Sequence, residues 1–196
     1  MFTGIVQGLG LLKRATSGEV EIAVPDHLRS QLGLGDSVAV NGVCLTVRRI
    51  TDDGFVADLS RETASRTGFG RLRPGARLNL ERALPAGGGL DGHLVLGHVD
   101  TVGRVQAFFR EGEGWILIVG YPPSFSHLIA EKGSIAVDGI SLTPFRLEAQ
   151  AFRCAIIPET VERTNLQGLR AGDPVNLEFD ILAKYVERMM HRVHPD

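Results

Sequence analysis

The chain has 196 residues, 43% of them hydrophobic, and its formal net charge is −2 at pH 7. A chain of this length can bury one large core or two small ones. Its charge gives no electrostatic basis for binding nucleic acid or an anionic membrane, so neither is expected as a partner. The start lacks the basic region of a signal peptide, and no apolar run approaches the ~20 residues of a membrane span. These features predict a cytoplasmic protein.

The predicted elements are short strands and tight turns. Glycine is frequent, with 24 residues, and aromatic residues make up only 6%, which is typical of such a fold. In chain order, the first half contains VEIAV, SVAV, CLTV, FVADL and RLNLE, which alternate or carry β-branched residues. Asn-Gly and Asp-Gly dipeptides of the hairpin type lie between them. Short helices are predicted over residues 25–32 and 123–131.

The second half of the chain repeats the first. A shift of 97 residues aligns residues 35–82 with 132–179 without a gap, and 18 of these 48 pairs are identical. A weaker echo relates TGIVQGLG, residues 3–10, to LGHVDTVG, residues 96–103. Six or so short strands in about 90 residues predict a small closed barrel, which leaves no sheet edge exposed. The sequence therefore predicts a mainly β protein with two tandem six-stranded antiparallel β-barrels.

The expected domain boundaries follow the repeat. The first barrel is predicted over residues 1–90 and the second over residues 91–180. The segment LPAGGGLDG, residues 84–92, is expected to be a flexible joint, because a glycine run is costly to hold in a regular element. A phosphate-binding loop is the alternative, but the lysine and following helix of a P-loop are missing.

The tail, residues 181–196, has no duplicated partner and predicts a C-terminal α-helix. Asp180 is suited to cap its N-terminus. An apolar stripe at helical spacing would be covered either by packing on the protein's own barrels or by self-association. The stripe consists of Ile181, Leu182, Tyr185, Val186, Met189 and Met190.

Polar residues that recur in both repeats are candidates for a binding pocket. Thr46 and Thr143 each follow a leucine in a predicted strand. Threonine is a good strand former, but its repetition together with ETASRT, residues 62–67, and ETVERT, residues 159–164, favours a polar pocket in each barrel. These two segments are also suited to cap short helices, and that alternative stays open.

Histidine and cysteine offer further candidates. The position in the first half that is equivalent to His98 is occupied by Ile5. His98 is therefore either a structural residue or a proton-transfer group, a role that histidine suits because imidazole can gain or lose a proton near neutral pH. His93 lies five residues earlier, and without a third ligand the pair does not predict a zinc site. Cys44 and Cys154 lie in apolar contexts, which predicts reduced thiols rather than a disulfide.

Six ordered motifs resemble riboflavin synthase of the alpha-chain type. They are MFTGIV, VNGVCLTV, GHLVLGHVDTVG, KGSIAVDGISLT, IPETVERTNL and VNLEFD, and they cover nearly the whole chain. The resemblance implies a homotrimer assembled through C-terminal helices, no metal and no cofactor, with lumazine synthase as a further partner. The implied reaction is dismutation of two 6,7-dimethyl-8-ribityllumazine molecules. One donates a four-carbon unit to the other, giving riboflavin and 5-amino-6-ribitylaminouracil.

The resemblance also implies which residues form the two substrate pockets. The first pocket is expected to contain Gly4, Ile5, Val6, Cys44, Leu45, Thr46, Asp58, Leu59, Ser60, Arg61, Glu62 and Thr63. The second is expected to contain Gly97, His98, Val99, Lys132, Ser141, Leu142, Thr143, Ala155, Ile156, Ile157, Pro158, Glu159 and Thr160. The groups expected to carry the chemistry are Cys44, His98, Ser141, Thr143 and Asp180.

Two identical substrates with different roles require pockets that are similar but not equivalent. VNGVCLTV, residues 40–47, returns as VDGISLTP, residues 137–144, with Cys44 replaced by Ser141. We interpret this exchange as the mark of the broken symmetry. In the family the pockets face each other across neighbouring subunits, so the same arrangement is expected here.

Three departures from the family pattern keep other functions open. Ala64 and Gly68 stand where leucine and asparagine are usual, and Pro144 stands where valine is usual. A non-catalytic lumazine- or flavin-binding protein, with an optical or carrier role, is the alternative to the enzyme. A flavin-reductase module is a third hypothesis. Its arginine-x-tyrosine-serine/threonine motif is absent, because the only tyrosines are Tyr121 and Tyr185.

Overall fold

A computed structural model describes residues 1–16 and 18–193 of the chain, with side chains up to residue 190. Within these residues the architecture is mainly β, with a few short helices and one longer helix at the C-terminal end. The predicted fold class is confirmed, including the duplicated β-barrel unit and the C-terminal helix. None of the helices in this part of the chain is long and apolar enough to span a bilayer.

The first half forms a closed barrel. Its strands are β1 (Gly8–Ala15), β2 (Glu19–Ala23), β3 (Ser37–Val40), β4 (Val43–Ile50), β5 (Gly54–Asp58) and β6 (Arg77–Arg82). They follow the order β1-β2-β5-β4-β3-β6, and β6 pairs with β1 as well as with β3. Helix α1 (Asp26–Arg29), helix α2 (Arg61–Arg66) and a 3₁₀ turn (Gly68–Arg71) connect them. The core side chains point inward at alternate strand positions, as in Leu12, Val20, Ile22, Leu78 and Leu80.

The second half forms a seven-stranded sheet that curls in the same way. Its strands are β7 (Thr101–Glu111), β8 (Gly114–Gly120), β9 (Ile135–Val137), β10 (Ile140–Leu142), β11 (Pro144–Glu148), β12 (Ala151–Ile156) and β13 (Pro174–Phe179). Their order is β10-β9-β13-β7-β8-β12-β11. The connections are a 3₁₀ turn (Pro123–Leu128), helix α3 (Pro158–Arg163) and a 3₁₀ turn (Asn165–Gly168). The two edge strands, β10 and β11, are neighbours in the chain with only Thr143 between them.

The second unit therefore differs from the expected six-stranded barrel, because the counterpart of β4 is broken. In the first half the N–H of Val47 donates to the Asp36 carbonyl at 2.8 Å, and the N–H of Gly35 donates to the Val47 carbonyl at 2.9 Å. Pro144 occupies the position of Val47 and has no N–H to donate. Only the second bond survives, from Lys132 to the Pro144 carbonyl at 2.7 Å. One proline thus divides a strand into two.

The helices predicted in the loops are shorter than expected. The pattern over residues 25–32 yields only the four-residue helix α1, and the pattern over 123–131 yields a 3₁₀ turn of six residues. Each segment begins with proline and is confined between two strands, so the geometry of the connection limits its length.

The hairpin turns of the two halves pack directly against each other. Asn41 and Asp138 have φ of 45° and 46°, and each is followed by a glycine with φ near +75°. A Cβ on Gly42 would lie 2.7 Å from the Gly139 nitrogen, and a Cβ on Gly139 would lie 2.7 Å from the Gly42 nitrogen. Only glycine permits this approach of two backbones. The repeated turns of the sequence are therefore also the contact between the barrels.

Buried amide side chains complete this interface. Asn79 Nδ2 donates to the Asp138 carbonyl at 2.9 Å, and Asn176 Nδ2 donates to the Asn41 carbonyl at 2.8 Å. Each asparagine thus reaches the turn of the opposite half. The Asp138 carboxylate accepts from the Asn176 N–H and from Asn165 Nδ2, both at 2.7 Å. Because Asn79 and Asn176 are an identical pair of the repeat, the duplication supplies both sides of the contact.

The buried Asp138 carboxyl group should make the free energy of unfolding depend on pH. Burial raises its pKa from 3.8 to about 6, although its hydrogen bonds from Asn176 and Asn165 oppose the shift. The folded protein therefore binds this proton more tightly than the unfolded chain. The stabilising contribution is complete below pH ~4 and is lost as the pH rises through 6. We expect the free energy of unfolding to fall by about 2 kcal/mol from this group between pH 4 and pH 7.

The measurement is urea unfolding at both pH values for the wild type and for Asp138→Asn. Asparagine is the residue at the matching position, Asn41, whose φ of 45° is close to the 46° of Asp138. The variant should lack the part of the pH dependence that comes from this carboxyl group. An equal pH dependence in the two proteins would contradict the assignment.

Candidate active site

The two halves exchange the segments that precede their first strands. Phe2 and Val95 form an isolated antiparallel bridge, with the Phe2 N–H donating to the Val95 carbonyl at 2.7 Å. Both side chains are fully buried and pack with Ala39 and Ala136, one from each half. Beyond the bridge, the segment before β1 passes onto the second unit, and the segment before β7 passes onto the first.

Each crossing segment meets the repeated nucleophile position of the opposite half. The Gly4 carbonyl accepts from the Ser141 N–H at 2.8 Å, and the Gly97 carbonyl accepts from the Cys44 N–H at 2.9 Å. The two glycines have φ of 79° and 78°. A Cβ on either would lie 2.6 Å from the Cβ of the residue it faces. The symmetry of the sequence repeat is thus preserved at these two contacts.

This exchange corrects the expected grouping of the pocket residues. Residues 4–6 were expected with the first barrel but lie against Ser141 of the second. Residues 97–99 were expected with the second barrel but lie against Cys44 of the first. Sequence similarity marks the two segments as equivalent, but it cannot show to which half each segment crosses. That depends on where residues 84–92 place the chain in space.

The second pocket is a cavity of about 170 Å³ between the crossing segment, β10 and α3. Glu159 and Arg163, which form an ion pair at 3.0 Å on α3, lie at its rim. Lys132, Leu142, Thr143, Ala155, Ile156 and Pro158 are predicted pocket residues that do not line this cavity. Its lining is Gly4, Ile5, Val6, Ile140, Ser141, Ile157, Glu159, Thr160, Arg163 and Thr164.

Ser141, which lines this cavity, has a histidine partner outside the lining. Its hydroxyl oxygen lies 2.7 Å from Nδ1 of His93, which is only 7% exposed. Burial lowers the pKa of His93, and the negative charge of Asp180 partly opposes this shift. A neutral imidazole can accept the hydroxyl proton, which is the arrangement that activates a serine. The structure therefore pairs one predicted catalytic residue, Ser141, with a histidine that was not among them, and the charge of Asp180, another predicted catalytic residue, acts on that histidine.

The position on the closed barrel that corresponds to Ser141 is Cys44, and the predicted residues of the first pocket lie around it or on the strands and helix nearby in the chain. Cys44 is half-buried under Gly97, and His98 is exposed on the same crossing segment. The Ser60 hydroxyl accepts from the Thr63 N–H at 3.0 Å and caps α2, so these two predicted pocket residues also have a local structural role. Of the other predicted residues, Leu45 and Leu59 are buried, whereas Thr46, Asp58, Arg61 and Glu62 are exposed.

A larger cavity, of about 500 Å³, lies between the C-terminal part of α2, the turn that follows it and the start of β7. Arg66, Arg71, Asp100 and Thr101 are among its lining residues, and none of the predicted site residues is. Among the described side chains, no three histidine, cysteine, aspartate or glutamate residues come together as metal ligands would. Cavity volume alone therefore does not identify the duplicated pockets.

Sequence reasoning missed two buried carboxylates that hold the crossing segments. Glu81 on β6 accepts from Thr3 and Gly4, and Glu178 on β13 accepts from Leu96, Gly97 and His98. The signal was present, because the two glutamates are one of the identical pairs of the repeat. Alternation places both glutamates on the outer face of their strands, opposite the core leucines, so their burial comes from the crossing segments that cover this face, and a buried carboxylate requires a partner.

The family model for the lumazine binding domain matches the chain twice, over residues 3–83 and 96–180. The chain therefore belongs to the class of proteins built from lumazine binding domains, and it contains this domain twice. It is 44% identical to a riboflavin synthase of Mycobacterium tuberculosis over 197 residues, covering 97% of this chain and 98% of the relative. It is 34% identical to that of Bacillus subtilis over 197 residues, covering 99% and 92%. Within its class, the chain belongs to the riboflavin synthase family.

Solved structures of LumP share the fold. The complex of LumP with 6,7-dimethyl-8-(1'-D-ribityl) lumazine has a TM-score of 0.82 and 25% sequence identity, covering 91% of this chain and 99% of LumP. The complex with riboflavin has a TM-score of 0.83 and 28% identity, with the same coverage. The same architecture thus carries both a lumazine and a flavin in a relative.

The two cysteines should differ in reactivity. Burial raises the pKa of Cys154 to about 12 and its side chain has no exposed surface, whereas Cys44 is half-buried at the first pocket. We expect one thiol per folded chain to react with a disulfide reagent at pH 8, and two after unfolding in guanidinium. Cys44→Ser should abolish the reaction of the folded protein. Two thiols reacting at similar rates before unfolding would contradict the burial of Cys154.

Proposed function

We propose that the protein is an enzyme, a riboflavin synthase, which converts two molecules of 6,7-dimethyl-8-ribityllumazine into riboflavin and 5-amino-6-ribitylaminouracil. The observation that carries this proposal is the 34–44% identity to riboflavin synthases over nearly the whole chain. The duplicated pockets support it independently. A reaction between two identical molecules requires two similar sites, and each half supplies a potential nucleophile at the same position.

The two nucleophile positions are equipped differently, which suits different roles for the two substrates. Ser141 has His93 as a base at 2.7 Å. Cys44 has no such histidine within the described residues. A thiol is intrinsically more nucleophilic than a hydroxyl, which needs a base to become a nucleophile near neutral pH. The serine position therefore has the base that a hydroxyl requires, and the cysteine position has a thiol that depends less on one.

The mechanism we propose uses few groups. The 7-methyl protons of the lumazine are acidic because the ring system delocalises the resulting anion. His98, exposed on the segment that covers Cys44, is placed to accept such a proton, and Ser141 or Cys44 to add at C7 of the partner molecule, which opens a π bond of its ring. The added group leaves again before the products are released. Alignment of the two substrates then supplies much of the rate, because it makes the reaction effectively intramolecular. Thr143, exposed between β10 and β11, and Asp180 are assigned to support of the second pocket.

The active enzyme is proposed to be a homotrimer. On α4 (Ile181–Val193) the polar side attaches to the second unit through Lys184–Asp100 at 2.5 Å and His127–Glu187 at 2.6 Å. The predicted apolar stripe points away from the barrels: Leu182, Tyr185, Val186, Met189 and Met190 are 62%, 64%, 56%, 68% and 61% exposed. Such a stripe is stabilised when it is covered by other chains. Assembly in the cytoplasm and association with lumazine synthase stay predictions.

Lumazine binding without turnover is the second candidate function, favoured by the similarity to LumP. One experiment separates the two. The purified protein is incubated with 6,7-dimethyl-8-ribityllumazine under anaerobic conditions, with a chelator and without nicotinamide. We expect one riboflavin for every two lumazines consumed, because carbon moves between identical partners and no external oxidant is needed. Lumazine binding without riboflavin over hours would establish the binding function instead.

Ser141→Ala and His93→Asn should lower kcat by similar factors, about a hundredfold, if the histidine acts through the serine hydroxyl. The double variant should then be no slower than either single variant, since each removes the same activated group. Riboflavin affinity, measured by fluorescence quenching, should change much less than kcat. Multiplicative effects of the two substitutions would contradict the pairing.

Replacing Tyr185 and Met189 by glutamate should dissociate the trimer into folded monomers, because a charged stripe cannot be buried between helices without a large cost. Sedimentation velocity gives the oligomeric state, and turnover should fall with dissociation if each site spans two subunits. Arg188→Gln, an exposed position on the same helix outside the apolar stripe, is the matched control. Trimers that persist in the double variant would refute the role of this stripe.

A further inference from the structure

Two buried glutamates hold the crossing segments in place, one on each side of the pseudo-symmetric molecule. Glu81 is 4% exposed and lies on β6 of the first barrel. Its Oε1 accepts from the Thr3 N–H at 2.6 Å and the Thr3 hydroxyl at 2.8 Å, and its Oε2 accepts from the Gly4 N–H at 2.9 Å. The segment that it holds is the wall of the pocket containing Ser141.

Glu178 repeats this arrangement from the other half. It is 3% exposed and lies on β13 of the second unit. Its Oε1 accepts from the Leu96 N–H at 2.6 Å, and its Oε2 accepts from the N–H groups of Gly97 and His98 at 2.9 and 3.1 Å. The segment that it holds covers Cys44 and carries the exposed His98. Each carboxylate therefore belongs to one half and fixes the pocket wall of the other.

These contacts are too specific for a general role in packing. A buried carboxylate without a partner is strongly unfavourable, and here every bond offered to it comes from the main chain of one short segment or from Thr3. Burial raises the pKa of both glutamates, while their bonds from Thr3 and Gly4 or from Leu96 and Gly97 lower it. Lys184 and Asp100 also face Glu178, with opposite effects on its pKa.

We infer that Glu81 and Glu178 are positioning residues that couple the two pockets crosswise, so that the first barrel sets the geometry around Ser141 and the second unit sets the geometry around Cys44 and His98. This inference deepens the proposed function, on which its catalytic meaning rests. A disturbance in one half is consequently felt in the pocket of the other half. The coupling is physical, because a single hydrogen-bonded segment connects the carboxylate to the pocket wall.

The test uses the thiol that each wall covers. In the wild-type chain, Cys44 reports on the segment held by Glu178, and Cys154 is buried and silent. In a Cys44→Ser/Ser141→Cys chain, a thiol at position 141 reports on the segment held by Glu81. Glu81→Gln and Glu178→Gln are made in both chains, and the rate of alkylation by iodoacetamide is measured under native conditions. Glutamine keeps the shape of the side chain, but its NH₂ group takes the place of one carboxylate oxygen. That group then faces a main-chain N–H, so two donors meet and a hydrogen bond is lost.

The expected result is a crossed pattern. Glu178→Gln should accelerate alkylation at position 44 about tenfold and leave position 141 within about twofold, because a hydrogen bond to a charged group is worth roughly a factor of ten or more. Glu81→Gln should do the reverse. The two variants lose equivalent bonds, so each is the control for general destabilisation in the other. Acceleration at both positions in both variants, or at neither, would overturn the inference.

A milder variant keeps the test decisive if a glutamine variant does not fold. Thr3→Val removes the hydroxyl bond to Glu81 and the bond that this hydroxyl accepts from the Ile5 N–H at 3.2 Å within the same segment, and it leaves the carboxylate with its two main-chain donors. It should accelerate alkylation at position 141 alone, by a few-fold. No change at position 141, or an equal change at position 44, would also overturn the inference. These readouts need no substrate, so a wild-type protein that makes no riboflavin would refute the proposed function and leave the crosswise positioning intact.

Discussion

The contact on which the rest of the molecule depends is the close approach of a glycine backbone to the strand of the opposite half. Gly4 on Ser141 and Gly97 on Cys44 leave no space for a Cβ, and their hydrogen bonds fix the register of each crossing segment against β10 or β4. With that register set, Phe2 and Val95 meet in the centre and the pocket walls follow. The two barrels are thus interlocked by main-chain geometry rather than merely placed side by side.

The hairpin turns at residues 41–42 and 138–139 form a second contact that holds the two halves together. There the backbones of Gly42 and Gly139 touch, and buried asparagines satisfy the polar groups that the contact would otherwise leave without partners. The one difference in charge, Asp138 in place of Asn41, makes this interface unequal on its two sides. The duplication therefore conserved the geometry of the contact more strictly than its electrostatics.

The sequence indicated the units of the fold better than their connections. The 97-residue shift established the equivalence of Cys44 and Ser141, and the glycine-containing turns at residues 42 and 139 were placed correctly. The effect of Pro144 on its strand follows from the missing N–H. The crossing of residues 4–6 and 97–99 was not predictable, because a local pattern carries no information on which neighbour a segment joins. His93 was set aside as a poor metal ligand, since its partner Ser141 lies 48 residues away.

The exchange of segments has a consequence for what one covalent chain achieves. A single half would lack its own pocket wall, and it could gain one only from a second copy, in a symmetric pair whose formation depends on concentration. Joining the halves makes that association intramolecular, at an effective concentration set by a short connection. It also frees the two halves to differ. A pair of identical chains must carry the same residue on both sides of its axis, whereas the joined chain holds a cysteine at one position and a histidine-paired serine at the other.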